Sequence, residues 1–181
     1  MLTIKLKQHT PIIHFQYDQE GATLRASELK PKLDKYLIKH AFNNEKEQYK
    51  NFQVGGKTGK HPALDYKLKI EVLDRDKYKY EKKIPEKNKD VPMFFANMGK
   101  EYEKNLKGLV LNKNVNLKIF CFHNSLISKI KSHIVDFFRV TNFGMRQSKG
   151  YGCFYIDPED DLYTPISGSG LKFTLDDNDW R

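Results

Sequence analysis

Two cysteines, Cys121 and Cys153, are all that this 181-residue chain contains. Both stand in apolar, strand-like runs. That suits reduced, buried thiols and argues against a disulfide framework or a cysteine-built metal site. His9, His61, His123 and His133 show no metal-ligand spacing. No paired carboxylates and no nucleophile triad stand out. No apolar run nears the ~18 residues that a membrane span needs, and Met1 opens directly onto a strand pattern instead of a signal peptide. The expectation is a soluble, cytoplasmic protein with no cofactor, no metal and no membrane partner. Acidic residues are also in deficit, with 23 Asp and Glu against 32 Lys and Arg, for a formal charge of +9. Such an excess favours polyanionic partners by raising encounter rates and nonspecific affinity.

The length allows one well-cored domain carrying a large insertion. Leu2, Ile4 and Leu6 alternate with polar residues, the period of a half-buried strand. Thr10-Pro11 interrupts it, and Ile12, Ile13 and Phe15 extend the path into a polar loop that includes Gly21. Ser27 is the expected N-cap of a helix with Pro31 in its first turn. Leu29, Leu33, Tyr36, Leu37 and Ala41 form its apolar face, and Lys32, Lys35 and Lys39 lie elsewhere. From Asn43 to Leu64 the chain reads as a polar loop. Its Gly55–His61 stretch lacks Walker spacing but offers Lys57 and Lys60 as nucleic-acid contacts.

A second strand follows at Tyr66, Leu68, Ile70 and Val72. Residues 74–115 read as one insertion, with a strand or hairpin arm at Tyr78 and Tyr80 and a short apolar stretch, Pro92–Gly99, on the core. Leu117–Phe122 is a third strand, apolar on both faces and therefore central. Asn124 or Ser125 caps a helix whose apolar face holds Leu126, Ile127, Ile130, Ile134, Phe137 and Phe138. Gly152–Ile156 closes as a fourth strand. Residues 158–181 form a C-terminal extension, with a peripheral hairpin at Tyr163–Leu175 and an end suggestive of truncation. Strand, helix, strand, strand, helix, strand is the order of an α+β, ferredoxin-like (βαββαβ) antiparallel sheet. Two helices cover one face in that arrangement, and the insertion falls between the second and third strands of a domain spanning residues 1–157.

Between the second helix and the last strand runs Phe143-Gly144-Met145-Arg146-Gln147-Ser148-Lys149-Gly150-Tyr151-Gly152. Glycines here let the backbone turn sharply and approach a ligand. Exposed peptide N–H groups and two cations make such a loop suited to phosphate. Lys149–Gly152 matches the opening of the ribonucleoprotein motif of RNA-recognition domains. That motif belongs on a third strand and wants an aromatic where Cys153 stands, so this family is disfavoured.

The loop instead resembles the glycine-rich loop of the repeat-associated (RAMP) superfamily of CRISPR-associated proteins. Thr10-Pro11-Ile12, and Leu24–Lys30 at the start of the first helix, are similar to that superfamily's N-terminal pattern. The resemblance implies RNA as partner, crRNA or target, alongside other CRISPR effector subunits. Gly144, Arg146, Gln147, Ser148, Lys149, Gly150 and Gly152 would grip the RNA backbone while Tyr151 stacks a base, and Arg25 and Lys30 would add charge at the helix start. Whether such a protein is an enzyme stays open. The alternative to a binding subunit is a metal-independent crRNA-processing endoribonuclease, for which His14 and His40 are the acid/base candidates. Asp18, in the loop after the first strand, is the candidate for target-RNA cleavage.

Overall fold

The computed structural model describes residues 1–12, 23–54, 62–73, 78–79, 110–111 and 114–165. It is an α+β protein built on a four-stranded antiparallel sheet. Strand β1 (Leu2–Gln8) turns Ile4 and Leu6 inward and Thr3 and Lys5 to solvent, as alternation requires. Strands β2 (Lys67–Val72), β5 (Val115–Phe120) and β6 (Phe154–Ile156) complete the sheet in the spatial order β2-β5-β1-β6, which is not their order in the chain. In register, Ile4 faces Leu117, Leu68 faces Ile119, and Leu6 faces Ile156. Strands β3 (Tyr78–Lys79) and β4 (Val110–Leu111), which fall between β2 and β5 in chain order, pair as a separate two-stranded ribbon. The rest of the insertion, including the Pro92–Gly99 stretch, lies outside the described residues.

Helix α1 (Ala26–His40) buries Leu29, Leu33 and Leu37, one turn apart, and α3 (Asn124–Val140) buries Leu126, Ile130, Ile134, Phe137 and Phe138. These side chains and the inward residues of β1, β5 and β6 form one core, so both helices cover the same face of the sheet.

Several expectations need correction. The N-cap of α1 is Arg25, without a side-chain cap bond, so Ser27 lies inside the helix and Pro31 falls in its second turn. There Pro31 removes a backbone donor but stays exposed, which limits the cost. His123, not Asn124 or Ser125, is the N-cap of α3. The stretch read as a polar loop contains a one-turn helix, α2 (Lys46–Tyr49), followed by a 3₁₀ turn (Lys50–Phe52). Buried Tyr49 and its ring contact with Phe42 hold α2 to the core, and they make three helices where two were expected. Strand β5 is central, but it is apolar on one face only. Val115, Leu117 and Ile119 are buried, whereas Phe120 and the following Phe122 are exposed. The fourth strand begins at Phe154. Before it, Cys153 forms only an isolated bridge to Asn142. The expected Tyr163–Leu175 hairpin lies mostly outside the described residues. The acidic turn that follows β6 is tied to the sheet, with the Lys5 N–H donating to Asp160 Oδ2 at 2.7 Å.

Candidate nucleic-acid interface

The glycine loop starts in the core. Phe143 is fully buried against the rings of Phe137, Phe138 and Phe154. Its N–H donates to the Gly152 carbonyl at 2.9 Å, which closes the neck of the loop. Gly152 sits at φ +70, and a Cβ there would lie 1.7 Å from the Phe143 carbonyl oxygen. Only glycine fits. The outgoing limb is held by the end of β1. Thr10 Oγ1 donates to the Gly150 carbonyl at 2.7 Å and accepts from the Cys153 N–H at 2.9 Å, and the Gly152 N–H donates to the Pro11 carbonyl at 2.8 Å.

The incoming limb is held by α1. The Gly144 N–H donates to Glu28 Oε1 at 2.8 Å, and Glu28 pairs with Lys32 one turn along at 3.1 Å. Lys32 Nζ in turn donates to the Asn142 carbonyl at 2.7 Å and to Gln147 Oε1 at 3.1 Å. Gln147 completes the strut by donating to the Gly144 carbonyl and accepting, at its own carbonyl, from Asn142 Nδ2. Glu28 and Lys32 were not among the residues expected at the site. Their i, i+4 spacing was visible, but not that the pair faces this loop.

Beyond this base the loop rises to an exposed crest. Arg146 adopts the left-handed conformation (φ 56, ψ 34), Gln147–Lys149 make a 3₁₀ turn, and Gly150 is left-handed again (φ 82). Ser148 and Lys149 are exposed, and Arg146 is half-buried. Burial pushes the Tyr151 phenol above its usual value, and the nearby Arg146 cation partly opposes this. The N–H groups of Gly144, Lys149, Gly150 and Gly152 all go to internal acceptors. The crest therefore offers an anion side chains above all: the Arg146 guanidinium, the Lys149 ammonium and the Ser148 hydroxyl, with the Tyr151 ring beside them.

Thus Gly144, Arg146, Gln147, Ser148, Lys149, Gly150, Tyr151 and Gly152 are gathered in one loop, with Gly144, Gln147 and Gly152 in supporting positions. Arg25 lies at the start of α1, the helix on which this loop docks. Lys30 is engaged elsewhere. Its Nζ donates to Asp34 Oδ2 at 2.9 Å and to the Leu64 carbonyl at 2.8 Å, over the Tyr66 ring. Burial raises the Asp34 carboxyl above its ordinary range, and the Lys30 contact works against that rise. His40 ends α1, exposed and stacked on Tyr36 with ring centroids 4.3 Å apart. At 1.5 Å per residue it stands about 18 Å along the helix from Glu28, so it is not brought to the loop. His14, Asp18, Lys57 and Lys60 lie outside the described residues.

Among the described residues no helix is long and apolar enough to cross a membrane. No curated protein and no solved structure matches the chain. One family model, described as the Cmr1 N-terminal domain, matches residues 1–177. That match spans both ends of the sheet, the helix that carries Glu28 and Lys32, and the whole glycine loop, and by it the chain belongs to the Cmr1 family of CRISPR-associated RAMP proteins.

Proposed function

We propose that this protein is an RNA-binding subunit of a CRISPR effector complex, gripping the backbone of crRNA or target RNA with the crest of its glycine loop. Family membership supports the effector subunit. The observation that carries the RNA reading is the crest itself. Exposed Lys149 and Ser148 stand beside half-buried Arg146 and Tyr151 on a base that the core and α1 hold in place. Rigid elements presenting a polar, cationic loop are a common way to build a binding site. The underlying unit is ferredoxin-like. The chain order β1-α1-β2-β5-α3-β6, with β1 and β5 at the centre and α1 and α3 on one face, supports that reading.

The test is binding of labelled CRISPR-repeat RNA across a salt series, with the RNA afterwards run on a gel. Single-stranded ligands lose about 0.7 in log–log salt slope for each phosphate contact removed. Arg146→Ala/Lys149→Ala is expected to lower the slope by about 1.4 and weaken binding, with the RNA intact. Unchanged binding in the double variant would overturn the crest as the RNA grip. Cutting at one position, abolished by His40→Ala or His14→Ala, would replace the binding subunit with a processing nuclease.

A further inference from the structure

The sheet has a second face, opposite α1 and α3, and its chemistry is distinctive. Alternation puts Lys5 of β1, Lys67 of β2, Lys118 and Phe120 of β5, and Tyr155 of β6 on that side. Register sets Lys67 opposite Phe120, Lys69 opposite Lys118, and Lys7 opposite Tyr155. Among the described strand residues of this face Glu71 is the one carboxylate, and it bridges Lys69 and Lys118 at 2.6 Å each. At the rim Lys7 pairs with Asp157 at 3.4 Å. Among the described residues the face stays cationic, because Lys5, Lys67, Lys69, Lys7 and Lys118 outnumber Glu71, Asp157 and Asp160, whose carboxylate accepts from the Lys5 N–H.

Two aromatic rings break this charged surface, Phe120 at 42% exposure and Tyr155 at 37%. They occupy opposite corners. Phe120 lies one residue past the Leu2–Ile119 pair, while Tyr155 faces Lys7. Six residues along β1 and two strand spacings separate them, about 22 Å in all. Lys118 and Lys5 lie on the diagonal between. Exposed rings joined by a cationic path form a stacking platform with a phosphate track, which is the chemistry of single-strand binding. A duplex keeps its bases stacked on each other and offers such rings nothing.

We infer that this second sheet face binds single-stranded nucleic acid, bases stacking on Phe120 and Tyr155 and phosphates running over Lys5, Lys67 and Lys118. The surface is separate from the glycine loop, which docks on α1, and it stands whether or not the loop binds RNA.

The experiment uses the full chain and a 12-nucleotide RNA carrying 4-thiouridine, photocrosslinked and mapped by mass spectrometry, with affinities from fluorescence anisotropy. Crosslinks are expected on the peptides holding Phe120 or Tyr155. Lys5→Ala/Lys67→Ala/Lys118→Ala should weaken the single strand at least tenfold and lower the salt slope by about two. Phe120→Ala/Tyr155→Ala should weaken the single strand about tenfold and leave a blunt RNA duplex unaffected. Crosslinks confined to the 143–152 loop, with both variants binding as the parent does, would overturn the proposal. So would equal losses for single strand and duplex, the mark of a general polyanion or acidic-protein surface. Crosslinks on the sheet that persist in Arg146→Ala/Lys149→Ala would uphold the sheet face independently of the loop.

Discussion

The base and the crest of the glycine loop contain the same kinds of residue under different constraints. Gly152, at the base, and Gly150, at the crest, both have positive φ. A Cβ on Gly152 would collide with the Phe143 carbonyl, whereas one on Gly150 would meet nothing within 4 Å. The cations divide in the same way. Lys32 is bound to Glu28, Asn142 and Gln147, and Lys149 is exposed. One half of the loop is determined by core packing and a network of hydrogen bonds, the other by local backbone turns and the single Thr10 bond to the Gly150 carbonyl. The base is held at both limbs by contacts from α1, the end of β1 and the core, whereas the Ser148 and Lys149 side chains of the crest are exposed.

Changes to the base should therefore cost far more stability than changes to the crest, where loss of a cation should act on binding. Gly152→Ala is the severest. A left-handed alanine costs about 1–2 kcal/mol by itself. The collision must also displace the Phe143 backbone, whose side chain sits among three other rings. A loss of about 3–5 kcal/mol in urea unfolding is expected. A loss below about 1 kcal/mol would mean that the base is as pliable as the crest. Next comes Glu28→Ala, which leaves the Gly144 N–H without its acceptor and Lys32 without its carboxylate. About 2 kcal/mol should be lost. Glu28→Gln, which keeps an acceptor oxygen, should recover about half.

The division between base and crest also marks what the sequence conveys. Leu29, Leu33 and Leu37 announce α1 because one face of a helix repeats at three to four residues, and Ile4 and Leu6 announce β1 because a strand alternates. The position of the loop follows from its glycines. Other features depend on contacts remote in sequence. Lys30 and Lys32 differ by two residues, about 200° around the helix. One therefore reaches Leu64 and Asp34 while the other reaches the loop, and a count of cations cannot separate them. Phe120 and Phe122 suggest a strand buried on both sides, because apolar composition does not reveal that these two rings are exposed. The short helix α2 was missed because four residues carry too little periodicity, and its burial comes from Phe42 and Tyr49 meeting.

At the crest the expected effects are smaller. Gly150→Ala introduces only a left-handed alanine in open space, so about 1 kcal/mol should be lost and RNA affinity should hold within about twofold. A loss as large as that of Gly152→Ala would erase the distinction between the two glycines.

Arg146→Gly is the sharpest probe, since its effect on stability should be the smallest. Arginine at φ 56 bears a left-handed penalty of about 1 kcal/mol, which glycine would remove. Glycine in turn makes the unfolded chain more flexible, at roughly 0.5–1 kcal/mol. The two terms oppose each other, so unfolding free energy should change by no more than about 0.5 kcal/mol. RNA binding should nevertheless lose one phosphate contact, seen as a fall of about 0.7 in salt slope. Arg146→Lys keeps both the charge and the strain, so its slope should match that of the parent protein. A residue retained for the fold would show the opposite pattern, with glycine altering stability and leaving the slope untouched. Stability held and slope lost in Arg146→Gly would tie the left-handed arginine to binding instead of to the fold.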